Sequence, residues 1–485
     1  MPYFSWWAGL VVLVEWLIRL SLVVVVVLRR RPVPVSLAWI TVLMLAPVVG
    51  AVAYLLVGEN RLGRRRLRRF QAISEETEKN AVELWKHRHQ NWMPDEHFYQ
   101  QIWRVATAVA GMPPLGGNKL SLIGPSEDVL KSLAADIDDA KSHVHLLFYI
   151  YTCSPACLEI SNAVMRAAKR GVACRVLVDA VGSREFLACD VATRMRDAGV
   201  KVVAALPVGP FRMLFQRLDL RNHRKIAVID GRIAYAGSQN LTDSTFRAGL
   251  NPRVGSWIDA TVRVEGPAAQ ALGVVFLEDW QMDTEGPIKD VEPFTPAFDR
   301  LPGSSVIQVV PSSPGTAPVG IHETILTTFY AAKEELIITT PYFVPDEATR
   351  RALQAAALRG VRVTIVLPLE SDGAIVAAAS RAYWIDLLKA GVRIRLYRGG
   401  LLHAKTISVD RRMGLVGSAN IDMRSFYLNF EVTLIIYDDD FASELRFLQI
   451  GYISDSEEVF LDQWQNRSLV RVLVDNAAQL LGPLL

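Results

Sequence analysis

One block of residues occurs twice in this chain. His223, Lys225, Asp230, Gly237, Ser238 and Asn240 reappear as His403, Lys405, Asp410, Gly417, Ser418 and Asn420, each 180 positions after its counterpart. Six residue types at fixed offsets do not recur by composition in a chain with only eight histidines. A duplicated block implies two similar halves, and the similarity runs well past the block itself. "DDAKSHVHLLFYIY" (Asp138 to Tyr151) parallels "YAAKEELIITTPYF" (Tyr330 to Phe343), and "RGVACRVLVD" from Arg170 parallels "RGVRVTIVLP" from Arg359. Each half reads helix, strand, helix, strand, helix, strand and then the block, the alternation that builds a sheet flanked by helices. The expected fold is therefore α/β, with lobes at 118–298 and 299–485 related by a pseudo-twofold axis that brings the two blocks to one interface.

The block carries the means to attack a phosphodiester. Such an ester resists nucleophiles because its oxygens are negative and its leaving alkoxide is poor. A neutral imidazole can displace the alkoxide and form a phosphohistidine, while a protonated imidazole on the opposite face protonates the leaving oxygen and later deprotonates the incoming alcohol. Lys225 and Lys405 supply positive charge to the nonbridging oxygens. Ser238, Asn240, Ser418 and Asn420 supply directed hydrogen bonds there. His and Lys alternate with apolar residues, so strand geometry points them to one face while Ile226, Val228, Ile407 and Val409 pack. This chemistry needs no metal and no cofactor. His87, His89 and His97 lie in a polar connector without a ligand pattern and read as solvated. His143 and His145 alternate on an apolar strand and read as core or pocket-lining.

Ahead of the lobes the composition changes. Tyr3 to Leu28 holds no charge except Glu15 and Arg19, and Pro32 to Gly58 holds none. Each stretch is long enough to cross ~30 Å of hydrocarbon as a helix, so residues 1–60 are expected to form a transmembrane hairpin. Its second helix is kinked near Pro47 and Gly50. Glu15 and Arg19, four apart, share a helix face and partly neutralise each other. A cleaved leader is disfavoured by the missing basic start and by the second apolar stretch. Three arginines (29 to 31) follow the first stretch and six (61, 64 to 66, 68, 69) follow the second, which favours both chain ends on the cytosolic side. Residues 61–117 read as a basic juxtamembrane segment and helical connector.

The formal net charge of +3 is too small to mark a nucleic-acid binder. Cys153, Cys157, Cys174 and Cys189 fit no common zinc spacing and are expected reduced and packed. The halves differ in one place: 23 positions separate Val200 from His223, but only 11 separate Val392 from His403. The extra residues, "LPVGPFRMLFQRLDL", either dip into the bilayer or pack internally.

The paired blocks resemble those of the phospholipase D superfamily. "LRNHRKIAVIDGRIAYAGSQNL", "GGLLHAKTISVDRRMGLVGSANIDMRSFYLNFEVTL", "TPYFVPDE" and "WIDATVRVEGPAAQAL" are similar to segments of bacterial cardiolipin synthases. The resemblance covers nearly the whole chain. It implies an inner-membrane enzyme that moves a phosphatidyl group from one phosphatidylglycerol to another, giving cardiolipin and glycerol. It further implies His223 as nucleophile, His403 as acid and base, Asp230 and Asp410 as structural groups, and two His-orienting acids, Glu431 behind His403 and Asp259 behind His223. Ser371-Asp372-Gly373 departs from the residues expected of some relatives. A membrane-bound phospholipase D that releases phosphatidic acid would share the motif, so sequence chemistry alone leaves the choice between water and an alcohol open. A nuclease would need a basic groove, and a noncatalytic scaffold would have lost motif members. Oligomeric state is left open.

Overall fold

The structure is a computed structural model, and it describes residues 3–29, 33–58, 66, 68–69, 97–209, 217, 219–246, 252–284, 298, 300–314 and 320–482. Phe211, Met213, Leu214 and Phe215 of the insertion, His87, His89 and most of the connector lie outside the described residues. The chain divides into two compact units, 1–67 with 208–220, and 68–207 with 221–485.

In the first unit a single helix, Tyr3–Leu28, is followed by Val33–Leu45, Pro47–Ala53 and a π-helical turn, Tyr54–Gly58. Gly9–Leu28 is the one described helix long and apolar enough to cross a membrane. The second apolar stretch differs from the expected kinked span in being broken. Pro47 has no N–H to donate to the preceding turn, and Ala46 leaves the helical region at φ −136°, ψ 73°. The pieces stay close because residue 50 is glycine: a Cβ there would lie 2.9 Å from the Val42 carbonyl oxygen. Val26, Leu43 and Tyr54 are fully buried between the helices, and Trp39 packs edge-on against Tyr54. Arg19 pairs with Glu15 at 2.6 Å, as their spacing predicts.

The second unit is built on one sheet of 15 strands. From one edge, the first half supplies Lys201–Ala205, Ala173–Asp179, His143–Phe148, Ile226–Ile229, Ile233–Gly237, Thr261–Glu265 and Leu115–Ile123. The second half continues in mirrored order from the seam: Ser305–Ser312, Glu431–Tyr437, Met413–Gly417, Thr406–Val409, Glu335–Thr339, Arg362–Pro368, Arg393–Tyr397 and Ser456–Glu458. The duplication is thus a repeated strand order, joined edge to edge where Leu115–Ile123 meets Ser305–Ser312 antiparallel. In each half the outer strands pair in parallel and carry helical crossovers, which covers both sheet faces. Strands such as Ile226–Ile229 and Thr406–Val409 are accordingly buried at every residue.

Helix Pro267–Asp283 lies along the seam and packs on strands of both halves, including Leu115–Ile123, Ile226–Ile229 and Ser305–Ser312. Fifteen of its residues are buried, Asp279 and Glu278 among them. Acids placed in such a core require partners, and Asp279 finds them at the site.

The cysteines depart from expectation. Cys153 and Cys189 form a disulfide that ties the chain after strand His143–Phe148 to the junction of helices Arg184–Ala188 and Asp190–Asp197. Cys157 and Cys174 are free and buried, and burial pushes their thiols up to about 11 and about 12.

The glycine of each block is required by close strand approach. A Cβ on Gly237 would collide with the Ala260 carbonyl oxygen and lie 2.8 Å from Thr261 Cα, and one on Gly417 would lie 2.5 Å from the Val432 carbonyl oxygen. Because these obstacles are backbone, Gly237→Ala is expected to destabilise the catalytic unit by about 1–3 kcal/mol, read as a lower thermal midpoint of the purified protein in detergent.

Candidate active site

His223 and His403 sit just ahead of strands Ile226–Ile229 and Thr406–Val409 rather than within them. Each is held by the opposite half. The His223 backbone N–H donates to the Phe430 carbonyl, and the His403 N–H donates to the Ile258 carbonyl. Each lysine then curls back on its own histidine: Lys225 Nζ donates to the His223 carbonyl at 2.6 Å, and Lys405 Nζ to the His403 carbonyl at 2.6 Å.

The orienting acids are exchanged relative to the expected pairing. Glu431 lies against His223, with Nδ1 3.0 Å from both carboxylate oxygens, and Asp259 lies against His403, with Nδ1 2.6 Å from Oδ1. The expectation paired each histidine with the acid following it in its own half. The geometry differs because the histidine main chain is bonded to the residue just before the other half's acid, Phe430 or Ile258. An imidazole reaching across the seam meets that acid first. Ser238 and Ser418 also differ from expectation. Ser238 Oγ donates to Asp259 at 2.7 Å and Ser418 Oγ to Glu431 at 2.5 Å. A hydroxyl has one proton, so these serines fix the acids instead of contacting a phosphate.

Asn240 accepts from the Ile150 N–H through its carbonyl oxygen, which leaves its amide N–H groups as the donors. Asn420 Oδ1, Asn429 Oδ1 and Trp257 Nε1 are buried without a hydrogen-bond partner among the described residues. Trp257 stacks on His403, and Tyr149 meets His223 edge-on. Asp230 and Asp410 stand at the far ends of their strands at φ 53° and 52°. Asp230 accepts from the N–H groups of Lys141, Ser142 and His143, and Asp410 from those of Lys333, Glu334 and Glu335. They lock the hairpin to the neighbouring strand and do not reach the histidines. His143 and His145 are core groups: His145 stacks on Phe276 and bonds Arg175. In the departing segment Asp372 accepts from the Tyr342 hydroxyl at 2.7 Å.

Burial sets the electrostatics. It depresses both imidazoles to about 4, with Glu431 opposing the effect at His223, and Lys405 reinforcing and Asp259 opposing it at His403. Burial likewise lowers Lys225 to about 8 and Lys405 to about 7. Glu431 and Asp259 are held below their ordinary values by the imidazoles and lysines in spite of burial. Lys405 acts on His223 and Lys225 on His403, so the two blocks share one electrostatic site. The free site holds neutral imidazoles and cations ready to give up protons, a state that an incoming phosphate anion reverses.

Arg224 was not singled out in the sequence, yet it ties the site together. Its guanidinium is buried, with Nη1 2.6 Å from Asp279 Oδ1, Nη2 2.9 Å from the Ser312 carbonyl and Nε 3.0 Å from the Glu431 carbonyl. Asn222 donates to the other Asp279 oxygen and accepts from the Arg224 N–H. The seam helix thereby grips the residue that holds His223. One signal was available: the position between His and Lys is Arg224 in the first copy and Ala404 in the second. An arginine buried between the histidine and the lysine of the block demands an acid.

The family described as "Cardiolipin synthase, PLD-like domain" matches residues 133–280 and 325–447, and "Phospholipase_D-nuclease N-terminal" matches residues 20–59. Cardiolipin synthase A of Yersinia pseudotuberculosis serotype O:1b (strain IP 31758) is 39% identical over 474 residues, covering 97% of each chain, and that of Yersinia pestis gives the same values. Among solved structures, the phosphatidylserine synthase of Haemophilus influenzae Rd KW20 superposes with TM-score 0.59 at 16% identity, over 79% of this chain and all of that one. The likeness to that structure is one of fold. The chain is a phosphatidyltransferase with the phospholipase D-like architecture. It belongs to the bacterial cardiolipin synthase family.

Two outcomes follow from this geometry. Arg224→Ala leaves Asp279 buried without its counter-charge and is expected to cost about 3–5 kcal/mol of stability, with part recovered when Asp279→Asn is added, both read by denaturant unfolding. Between pH 7 and 9 the lysines lose the charge that holds a phosphodiester, so KM should rise by roughly tenfold or more. Lys405→Arg, which keeps its charge throughout, should flatten that rise even where it lowers kcat.

Proposed function

We propose that this chain makes cardiolipin by transferring a phosphatidyl group between two phosphatidylglycerol molecules in the membrane that its first helix crosses. The observation that carries the mechanism is the reciprocal pairing of each imidazole with the acid of the other half. Both rings are held through Nδ1, so the carboxylates fix the tautomer with Nδ1 protonated and the reacting nitrogen is Nε2.

His223 is the nucleophile in this reading. Its ring is the more open of the two, 12% exposed against 5% for His403, and both oxygens of Glu431 support the positive charge that grows as Nε2 bonds to phosphorus. The phosphorus–oxygen bond to the headgroup glycerol breaks, and His403 gives its proton to that oxygen. Glycerol leaves. The glycerol hydroxyl of a second phosphatidylglycerol then yields its proton to His403 and attacks phosphorus. The phosphorus–nitrogen bond breaks, giving cardiolipin and restoring His223. A bound phosphodiester anion raises the pKa of His403 against the burial and the Lys405 charge that depress it, which lets it carry the proton that the free site disfavours. Lys225, Lys405, Asn240 and Asn420 are assigned to the nonbridging oxygens; the unpartnered oxygen of Asn420 accepts from a lysine or from a substrate hydroxyl. Ser238 and Ser418 act through Asp259 and Glu431.

The arginine bias assigns the catalytic unit to the cytosolic side. The Cys153–Cys189 disulfide favours the opposite face, because such bonds persist in oxidising compartments.

Three measurements test these readings. With labelled phosphatidylglycerol, the wild type should yield cardiolipin and glycerol, whereas phosphatidic acid as the main product would identify a hydrolase. His223→Ala and His403→Ala should each lower turnover by 10³-fold or more, by the general scale of nucleophile and acid–base removal (about 10²–10⁴), and an acid-labile phosphoprotein should form only where His223 remains. In intact cells a thiol placed at the exposed Glu185 should react with a membrane-impermeant maleimide only after permeabilisation; labelling of intact cells would put the unit on the outer face.

A further inference from the structure

The last described helix, Leu469–Gln479, has two chemically distinct faces. Its inner face lies on helix Ala374–Lys389, where Asp475 is buried and neutralised twice, by Arg381 Nη2 at 2.9 Å and by Arg467 Nη1 at 2.6 Å. Its outer face is largely aliphatic, with Asn476 and Arg471 the exposed polar residues. Leu469, Val470, Leu473 and Val474 are 86%, 71%, 70% and 54% exposed, and Leu480 extends the face at 83%. Arg471 is the only exposed charge on the helix, since Asp475 is turned inward. A soluble surface does not leave so continuous an apolar row uncovered.

We propose that this helix is an interfacial membrane contact of the catalytic unit, lying flat on an anionic phospholipid surface with Leu469, Val470, Leu473 and Val474 among the upper acyl carbons and Arg471 at the phosphates. Charge complementarity carries the choice of occupant. The helix pairs off its one acid and displays its one free cation beside the apolar row, the composition of a helix that binds anionic lipid. A protein partner is the poorer fit, because interface cores favour aromatic residues and carry matched polar groups, and this face has neither. Position agrees. Gly482, just past the helix, stands where a Cβ would lie 3.0 Å from Met423 and 3.4 Å from Val344, and Met423 is three residues beyond Asn420 of the second block. The helix therefore ends against the segment that follows the second block. The inference rests on the reading that the substrate is membrane lipid, and it goes beyond that reading by assigning the catalytic unit a lipid contact of its own.

The test uses the full chain in phosphatidylglycerol and phosphatidylethanolamine vesicles, with a spin label on Leu473→Cys and, as a control, on Glu457→Cys. The label at 473 is expected to collide with dissolved oxygen at least fivefold more than with a water-soluble nickel chelate, relative to the control. Equal or greater nickel access at 473 overturns the proposal, as does dipolar broadening between labels, which would show a second copy on this face. In parallel, Leu469→Asp/Leu473→Asp should raise KM on vesicles by roughly fivefold while leaving turnover of a short-chain, monomeric phosphatidylglycerol unchanged; unchanged vesicle kinetics overturn the proposal. If the variant loses both activities through misfolding, the label result decides alone. Wild-type cardiolipin formation in the same vesicles separates failure of this contact from failure of the assigned activity.

Discussion

The structure depends on a carboxylate buried behind an imidazole that belongs to the other half of the chain. Glu431 and Asp259 are sealed from solvent, and each is tolerable there only because an imidazole, a serine hydroxyl and nearby lysines neutralise it. The imidazole partner of each acid comes from the other half. That requirement welds the halves: the seam is closed by strand pairing, by the His223 and His403 N–H bonds and by these acids together. The same contact brings the imidazoles of both halves to one electrostatic site.

Around that contact the pseudo-symmetry is kept in one set of hydrogen bonds and broken in the side chains beside them. Each half repeats the lysine-to-carbonyl bond, the serine-to-acid bond and the aspartate that gathers three N–H groups. The differences are local and chemical. Glu431 meets its ring with two oxygens where Asp259 uses one, Trp257 lies flat on His403 where Tyr149 turns its edge to His223, and Arg224 stands where the second copy has Ala404. The two imidazoles therefore stand in unequal surroundings.

The anchor and the lipid chemistry fit one physical requirement. A phosphatidyl donor and an alcohol that is itself a lipid reach the site from a two-dimensional phase, so the enzyme must stay at that phase. Helix Gly9–Leu28 does this for the first unit. The aliphatic face of Leu469–Gln479 offers the same service to the second.

Much of this was legible beforehand because it is periodic or duplicated. The repeat of His223 to Asn240 at His403 to Asn420 announced two α/β halves, and the charge-free runs announced the apolar helices. Asp230 and Asp410, structural groups by the resemblance, each gather three backbone N–H groups at a strand end. What the sequence could not convey was anything decided across the seam. The resemblance paired Glu431 with His403 and Asp259 with His223, and the fold exchanged them. The serines were assigned to phosphate because their hydroxyl protons had no visible taker until the acids arrived. Cys153 and Cys189 joined because the loops after two adjacent strands converge, and Pro47 broke a run that hydropathy alone reads as continuous. Periodicity and repetition are properties of one strand of chain and survive in the bare sequence. Which acid meets which imidazole is a matter of distance between segments some 140 to 210 residues apart, and only the folded sheet sets that distance.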